Sequence, residues 1–145
     1  MPDKSGDVYM KRKEEQRLWD TFKTHRPPGY WMERIENIVG FGTPDVDVAH
    51  AETGRIVKVE LKAPNAPANP NTRLLGDEGL NKHQINWHMK AASYRMPVFT
   101  LIRDNQKRIF LVHCDYAEHM NDMTAAQLAA VSLADTWEGV FEVLK

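Results

Sequence analysis

The apolar positions change period along the chain, and the changes divide it into elements. Residues 10–25, MKRKEEQRLWDTFKTH, carry Leu18, Trp19 and Phe22 as one stripe, with Gln16 and Lys23 outside it, which predicts an amphipathic helix. Arg26-Pro27-Pro28-Gly29 stops it. Tyr30 to Val39 is rich in β-formers and predicts a strand, punctuated by Gly40 and Gly42. Residues 45–50 and 55–62 then alternate in the manner of two strands, joined by Ala51-Glu52-Thr53-Gly54. Periodicity vanishes over 63–79, APNAPANPNTRLLGDEG, which predicts a long loop. Leu80 to Arg95 returns to helical spacing, with Ile85, Met89 and Ala92 on the expected buried face. Val98 to Arg103 is an apolar run of the buried-strand kind. Asp104 to Lys107 makes a turn, and Arg108 to Cys114 a further strand. Thr124 to Ala134 predicts a third helix, and Trp137 to Leu144 reads equally as strand or helix.

The order is helix, three strands, helix, two strands and a tail, an α/β sandwich on a central mixed sheet. The helical crossover into 98–103 permits a parallel pair in the middle of that sheet. A chain of 145 residues fits a single domain. Within it, 1–9 form a loose N-terminus, 10–114 the core and 115–145 an acidic C-terminal extension.

Composition narrows the function little, with 42% apolar and 27% charged residues. A single cysteine, Cys114, excludes an intramolecular disulfide and is expected as a small core residue on a strand. No apolar run approaches the ~18 residues of a membrane span, and the N-terminus lacks a signal-type apolar stretch, so a cytoplasmic protein is expected. The net charge is −1 but uneven: residues 1–26 hold seven Lys/Arg against five Asp/Glu, 27–113 eleven against nine, and 114–145 one against six. Any polyanion would therefore meet the first two segments and not the tail.

Candidate chemistry concentrates in the 45–62 hairpin. On the second strand Val57, Val59 and Leu61 share one face, and Ile56, Lys58, Glu60 and Lys62 the other. With Ala51 to Gly54 as a four-residue turn, Asp45 stands opposite Glu60 and Asp47 opposite Lys58; a bulge at Gly54 would shift this register by one. Two carboxylates across a hairpin repel. A divalent cation between them relieves the repulsion, and Mg²⁺ suits carboxylate oxygens, with the Leu61 carbonyl as a further ligand. Lys62 would then orient a nearby water or stabilise charge on a phosphate. The plain alternative is an Asp47–Lys58 ion pair on a solvated face.

Gly42-Thr43-Pro44-Asp45 followed by Glu60-Leu61-Lys62 resembles the PD-(D/E)xK nuclease superfamily, in particular its small VRR-NUC branch, over roughly residues 10–114. The resemblance implies a restriction-endonuclease-like αβββαβ core and a glutamine on the second helix, a position that Gln84 fits. It implies Asp45 and Glu60 as metal ligands, Lys62 as the residue assisting the attacking water, and Gln84 as support. An acidic residue from the first helix is also implied. Glu14 precedes Leu18 by four and Glu15 precedes Trp19 by four, so periodicity does not separate them, and the reading leans to Glu15. The loop at 63–79 is an insertion without an assigned role.

Other candidates are weaker. The six histidines are scattered, and His83 and His88, five apart, share a helix face poorly, so a zinc site is not expected. Lys82, Asn86 and Lys90 form an i, i+4, i+8 row that, with His83, could contact backbone phosphates; a solvated face explains the row equally well. Walker, G-x-G-x-x-G and G-x-S-x-G motifs are absent. The resulting expectation is a Mg²⁺- or Mn²⁺-dependent DNA endonuclease acting on branched or junction DNA, as a homodimer if it resolves branches. Small size suggests a phage origin, hence the host cytoplasm. The alternative is a catalytically silent relative that binds nucleic acid or a partner protein.

Overall fold

The computed structural model describes residues 5–35 and 42–145. Its elements are α1 (Ser5–Thr24), β1 (Tyr30–Arg34), β2 (Val46–His50), β3 (Ile56–Lys62), α2 (Lys82–Ser93), β4 (Val98–Arg103), β5 (Ile109–His113), α3 (Ala125–Val131) and α4 (Trp137–Leu144). The strands form one sheet in the order β1-β2-β3-β4-β5, antiparallel except for the parallel β3–β4 pair. This is the expected α/β arrangement. A parallel pair needs a crossover, and the segment carrying α2 supplies it.

Alternation along the strands sends side chains to two cores. On one face Val46, Val48, Val57, Val59, Leu61, Phe99 and Leu101 meet Leu18, Trp19 and Phe22 of α1 and Val140, Phe141 and Leu144 of α4. The α1 stripe is thus the face that packs. Phe22 lies between Trp137 and Phe141, with ring centroids at 5.8 and 5.2 Å. On the other face Ile102, Phe110 and Val112 pack with Leu74, Leu75, Leu80, Met120 and Leu128, while Val98, Ala91 and Cys114 form a small cluster beneath α2. The ambiguous C-terminal segment is a helix because Val140, Phe141 and Leu144 share one helical face over the first core.

Several expectations are corrected. Helix α1 begins at Ser5, so residues 5–9 are helical and not a loose end. Strand β1 ends at Arg34; the part of the expected strand beyond Ile35 falls on residues 36–41, outside the described ones. Cys114 is buried, but in a single 3-10 turn just after β5. The 63–79 segment is pinned: Ala66 N donates to Asn105 Oδ1 (2.9 Å), Leu74 N to Met123 O (3.0 Å), and Leu74 and Leu75 are buried. Its two leucines read as loop because they lie alone between prolines and glycines, with no period to reveal them.

The face of α2 is partly as expected, with Ile85 and Ala92 half-buried against the clusters on that side, but its centre is rotated. Met89 is exposed, whereas Gln84, His88 and Ala91 turn toward the sheet. Periodicity chose the methionine because a histidine does not count as apolar. His88 is 0% exposed, and neither ring nitrogen has a hydrogen-bond partner among the described residues. Burial and then the Lys62 ammonium push its pKa down to about 4, with the Asp45 charge opposing.

Gly42 controls how closely the chain entering β2 approaches α2. Its φ is +88°, and a Cβ there would lie 2.2 Å from His83 O and 2.6 Å from Gln84 N. Those atoms are helix backbone and cannot step aside.

Gly42→Ala should therefore destabilise the protein by roughly 2 kcal/mol or more in urea titration, since left-handed strain alone costs ~1–2 kcal/mol and the clash adds to it. The thermal midpoint should fall as pH drops from about 6.5 toward about 4, because the unfolded chain takes up a proton that buried His88 refuses. His88→Leu should remove that component of the acid sensitivity.

Candidate active site

The hairpin register is the one its turn length predicts: Asp47 pairs with Lys58 and Val46 with Val59. Asp45 therefore sits just before β2, beside Glu60. Its Oδ2 accepts the Leu61 N–H at 2.9 Å. Asp47 and Lys58 form the cross-strand ion pair, 2.7 Å apart and about a quarter exposed, the plain role foreseen for them. The Leu61 N–H is engaged with Asp45, and its side chain lies in the α1 core.

Glu60 and Lys62 are only 1% and 5% exposed. Strand residues so placed are ordinarily apolar, because an unpaired buried charge is costly. Gln84 resolves the conflict. Its Nε2 donates to Glu60 Oε1, and its Oε1 accepts from Lys62 Nζ at 3.1 Å and from Asn81 N at 2.9 Å. Asn81 Oδ1 in turn accepts the Gln84 N–H, completing a capping box at the start of α2. One carboxamide thus caps the helix and clamps both strand residues. Its orientation is fixed by chemistry, since the reverse would aim NH₂ at an ammonium.

The second carboxylate oxygen, Glu60 Oε2, is buried without a hydrogen-bond partner among the described residues. Burial foremost, then the adjoining Asp45 carboxyl and its negative charge, push the Glu60 carboxyl well above the usual range; Lys62 opposes and Glu15 adds to the rise. Two carboxylates can hydrogen-bond only when one holds a proton. An orphaned carboxylate oxygen facing a second carboxylate is a hard-oxygen donor pair that suits Mg²⁺ or Mn²⁺, which would take the place of that proton.

Glu15 acts on Glu60 through its charge, whereas Glu14 is turned to an ion pair with Arg17 at 2.8 Å. Lys82, His83, Asn86 and Lys90 are all exposed. At 100° per residue, Lys82, Asn86 and Lys90 point away from the side of α2 that carries Gln84 and His88. The structure thus brings together Asp45, Glu60, Leu61, Lys62 and Gln84, with Glu15 in electrostatic reach, and leaves that row outside. His88 and Thr100 escaped the sequence reading. Thr100 pairs with Glu60 in the β3–β4 register, and its buried Oγ1 has no hydrogen-bond partner among the described residues. A polar residue inside the apolar run 98–103 was the available signal. Among the described residues, His113, Cys114 and Asp115 place ligand-type atoms within 4.8 Å of one another, but they are consecutive at the far end of β5. No helix of the described residues is long and apolar enough to cross a membrane.

The chain matches no protein-family model and no curated protein sequence. Its fold is similar to that of a solved structure, Hjc, a Holliday junction resolvase from the archaeal hyperthermophile Archaeoglobus fulgidus. The TM-score is 0.55 at 10% sequence identity, over 89% of this chain and 97% of that one. At that identity the likeness establishes the fold, the restriction-endonuclease-like arrangement of a mixed five-stranded sheet between helices.

Proposed function

We propose that this chain is a divalent-metal-dependent DNA endonuclease with selectivity for branched or junction DNA. The observation that carries the reading is the pairing of buried Glu60 with Asp45, with Lys62 on the same strand face. The resolvase fold supports the junction preference, and the G-T-P-D, E-L-K and Gln84 set supports a site of the VRR-NUC kind. Asp45 and Glu60 would hold the ion, Mg²⁺ or Mn²⁺, with the Leu61 carbonyl and Glu15 as further oxygen donors. When bound, such an ion supplies positive charge to the phosphoryl oxygens and acidifies water.

The chain's own residues do the rest. Lys62 Nζ is fixed by Gln84, so its remaining N–H donors can face an attacking water or a phosphoryl oxygen without reorganisation. Gln84 fixes the separation of Glu60 and Lys62. His88, neutral near pH 7 and buried beneath them, adds no competing positive charge. Lys82, His83, Asn86 and Lys90 would contact backbone phosphates beyond the centre. Cutting two strands of a junction calls for two such centres, hence a two-fold homodimer on DNA.

Cleavage of linear, nicked, flapped and four-way DNA with Mg²⁺ tests the reading. The parent should cut the branched forms fastest and cut nothing in chelator. Lys62→Ala should lose about 100-fold or more in rate, the scale of one removed electrostatic donor; undiminished cutting by Lys62→Ala sinks the assignment. Gln84→Ala should cost about 10–100-fold, as supporting residues around a metal do. In calorimetry, Mn²⁺ should bind the parent with release of a proton and bind more weakly as pH falls, because metal and proton compete for Glu60. Asp45→Ala should abolish this binding.

A further inference from the structure

A cleft opens on the α1 face of the sheet, at the same end as the site, and its chemistry is that of a phosphate subsite. It has a volume of about 360 Å³ and is lined by Arg17 of α1, Pro64 and Asn65 after β3, and Arg103, Asn105 and Lys107 around the β4–β5 turn. The two places adjoin by chain geometry. Glu15 reaches Glu60 electrostatically, while the preceding Glu14 lines the cleft. Lys62 belongs to the site, while the following Ala63 lines the cleft. Lys62 pairs with Ile102, so Arg103 emerges beside Ala63, on the α1 face at the same end of the sheet.

The cleft's charges are unequal in a telling way. Its two carboxylates are both engaged. Glu14 pairs with Arg17. Asp104, 4% exposed, accepts from Gln106 N, Arg108 N and Arg108 Nε at 2.7–3.0 Å. Its two remaining cations are not: among the described residues neither Arg103 nor Lys107 has an ion-pair partner. Arg103 is nonetheless half-buried, and a half-buried guanidinium without a counter-anion suits an anionic ligand. Lys107 is held in place by a left-handed backbone, φ 64°, and by its N–H to Asp104 O at 3.0 Å. Asn105 uses its carboxamide oxygen on Ala66 N, which leaves its NH₂ as a further donor and ties the 63–79 segment to the cleft wall.

We infer that this cleft binds a backbone phosphate of the DNA strand next to the scissile one, through Arg103 and Lys107. The inference rests on the nuclease reading and supplies a positioning role for these two residues within it. Phosphate contacts fix register without reading sequence, which suits an enzyme that recognises DNA shape.

The test is fluorescence anisotropy with a labelled four-way junction and a labelled linear duplex, in chelator, across a salt series. For the parent, log K should fall linearly with log salt. Arg103→Ala/Lys107→Ala should flatten that slope by about one for each phosphate no longer neutralised, weakening junction and duplex alike. Arg103→Lys should retain most of the slope. Arg26→Ala, which removes an exposed cation just beyond the C-terminus of α1 and outside the cleft lining, should leave it unchanged. Melting curves report folding, and Lys107→Glu, in an exposed turn, weakens binding without touching the core. An unchanged slope and affinity in the double variant and in Lys107→Glu, with Mg²⁺-dependent cleavage intact in the parent, overturns the cleft and spares the nuclease reading. A parent that neither binds nor cuts DNA overturns both.

Discussion

Everything at this end of the molecule depends on one unfavourable contact, the burial of Glu60 against Asp45. A carboxylate that is 1% exposed beside another carboxylate is tolerated only with compensation. The compensation seen is specific: a carboxamide on one oxygen and a buried ammonium two residues along, while the other oxygen has no partner among the described residues. An ordinary hairpin would place valine or threonine at Glu60 and gain stability. Holding two acidic groups together instead carries a cost that the two apolar cores must offset.

The sheet topology explains why this place lies where it does. Strand β3 is where the sheet changes from antiparallel to parallel pairing. Going from β3 to β4 in parallel requires the chain to return across the sheet, so α2 begins near the carboxyl end of β3. Its first turn therefore lies beside Glu60 and Lys62, and the positive end of its dipole favours the carboxylates there. Gly42 brings the chain ahead of Asp45 against the same turn, because any side chain there would strike the His83 carbonyl. The 63–79 insertion leaves this arrangement intact because it is anchored to Asn105 and to the segment around Met123.

How much of this was legible in the sequence varies with the kind of signal. Strands β2 and β3 and the Asp47–Lys58 register followed from alternation and turn length, which are local; β4 followed from its apolar run, and the helix before it permitted the parallel pairing. The grouping of Asp45, Glu60 and Lys62 followed as well, since one strand face carries it. Glu15 against Glu14 could not be separated, because the α1 stripe is wide enough to admit either; the tertiary placement puts Glu15 in reach of Glu60 and Glu14 on Arg17. The buried face of α2 was misjudged because its centre is polar: Gln84 and His88 face the sheet where hydrophobic periodicity sees nothing, while Met89 faces outward.

The polar centre of that face bears on function. A helix whose inward side carries glutamine and histidine in place of leucine packs less favourably than it could, and the deficit is concentrated over Glu60, Thr100 and Lys62. Elsewhere the same sheet face is closed with Ile102, Phe110 and Val112 against leucines and methionine, as burial favours. The polar interruption is therefore local and one-sided. It coincides with the parallel strand pair, with a glycine that allows close backbone approach, and with a cleft whose unengaged charges are positive. These features converge on one end of the sheet. Real proteins commonly break such packing rules at functional sites and offset the cost elsewhere in the fold.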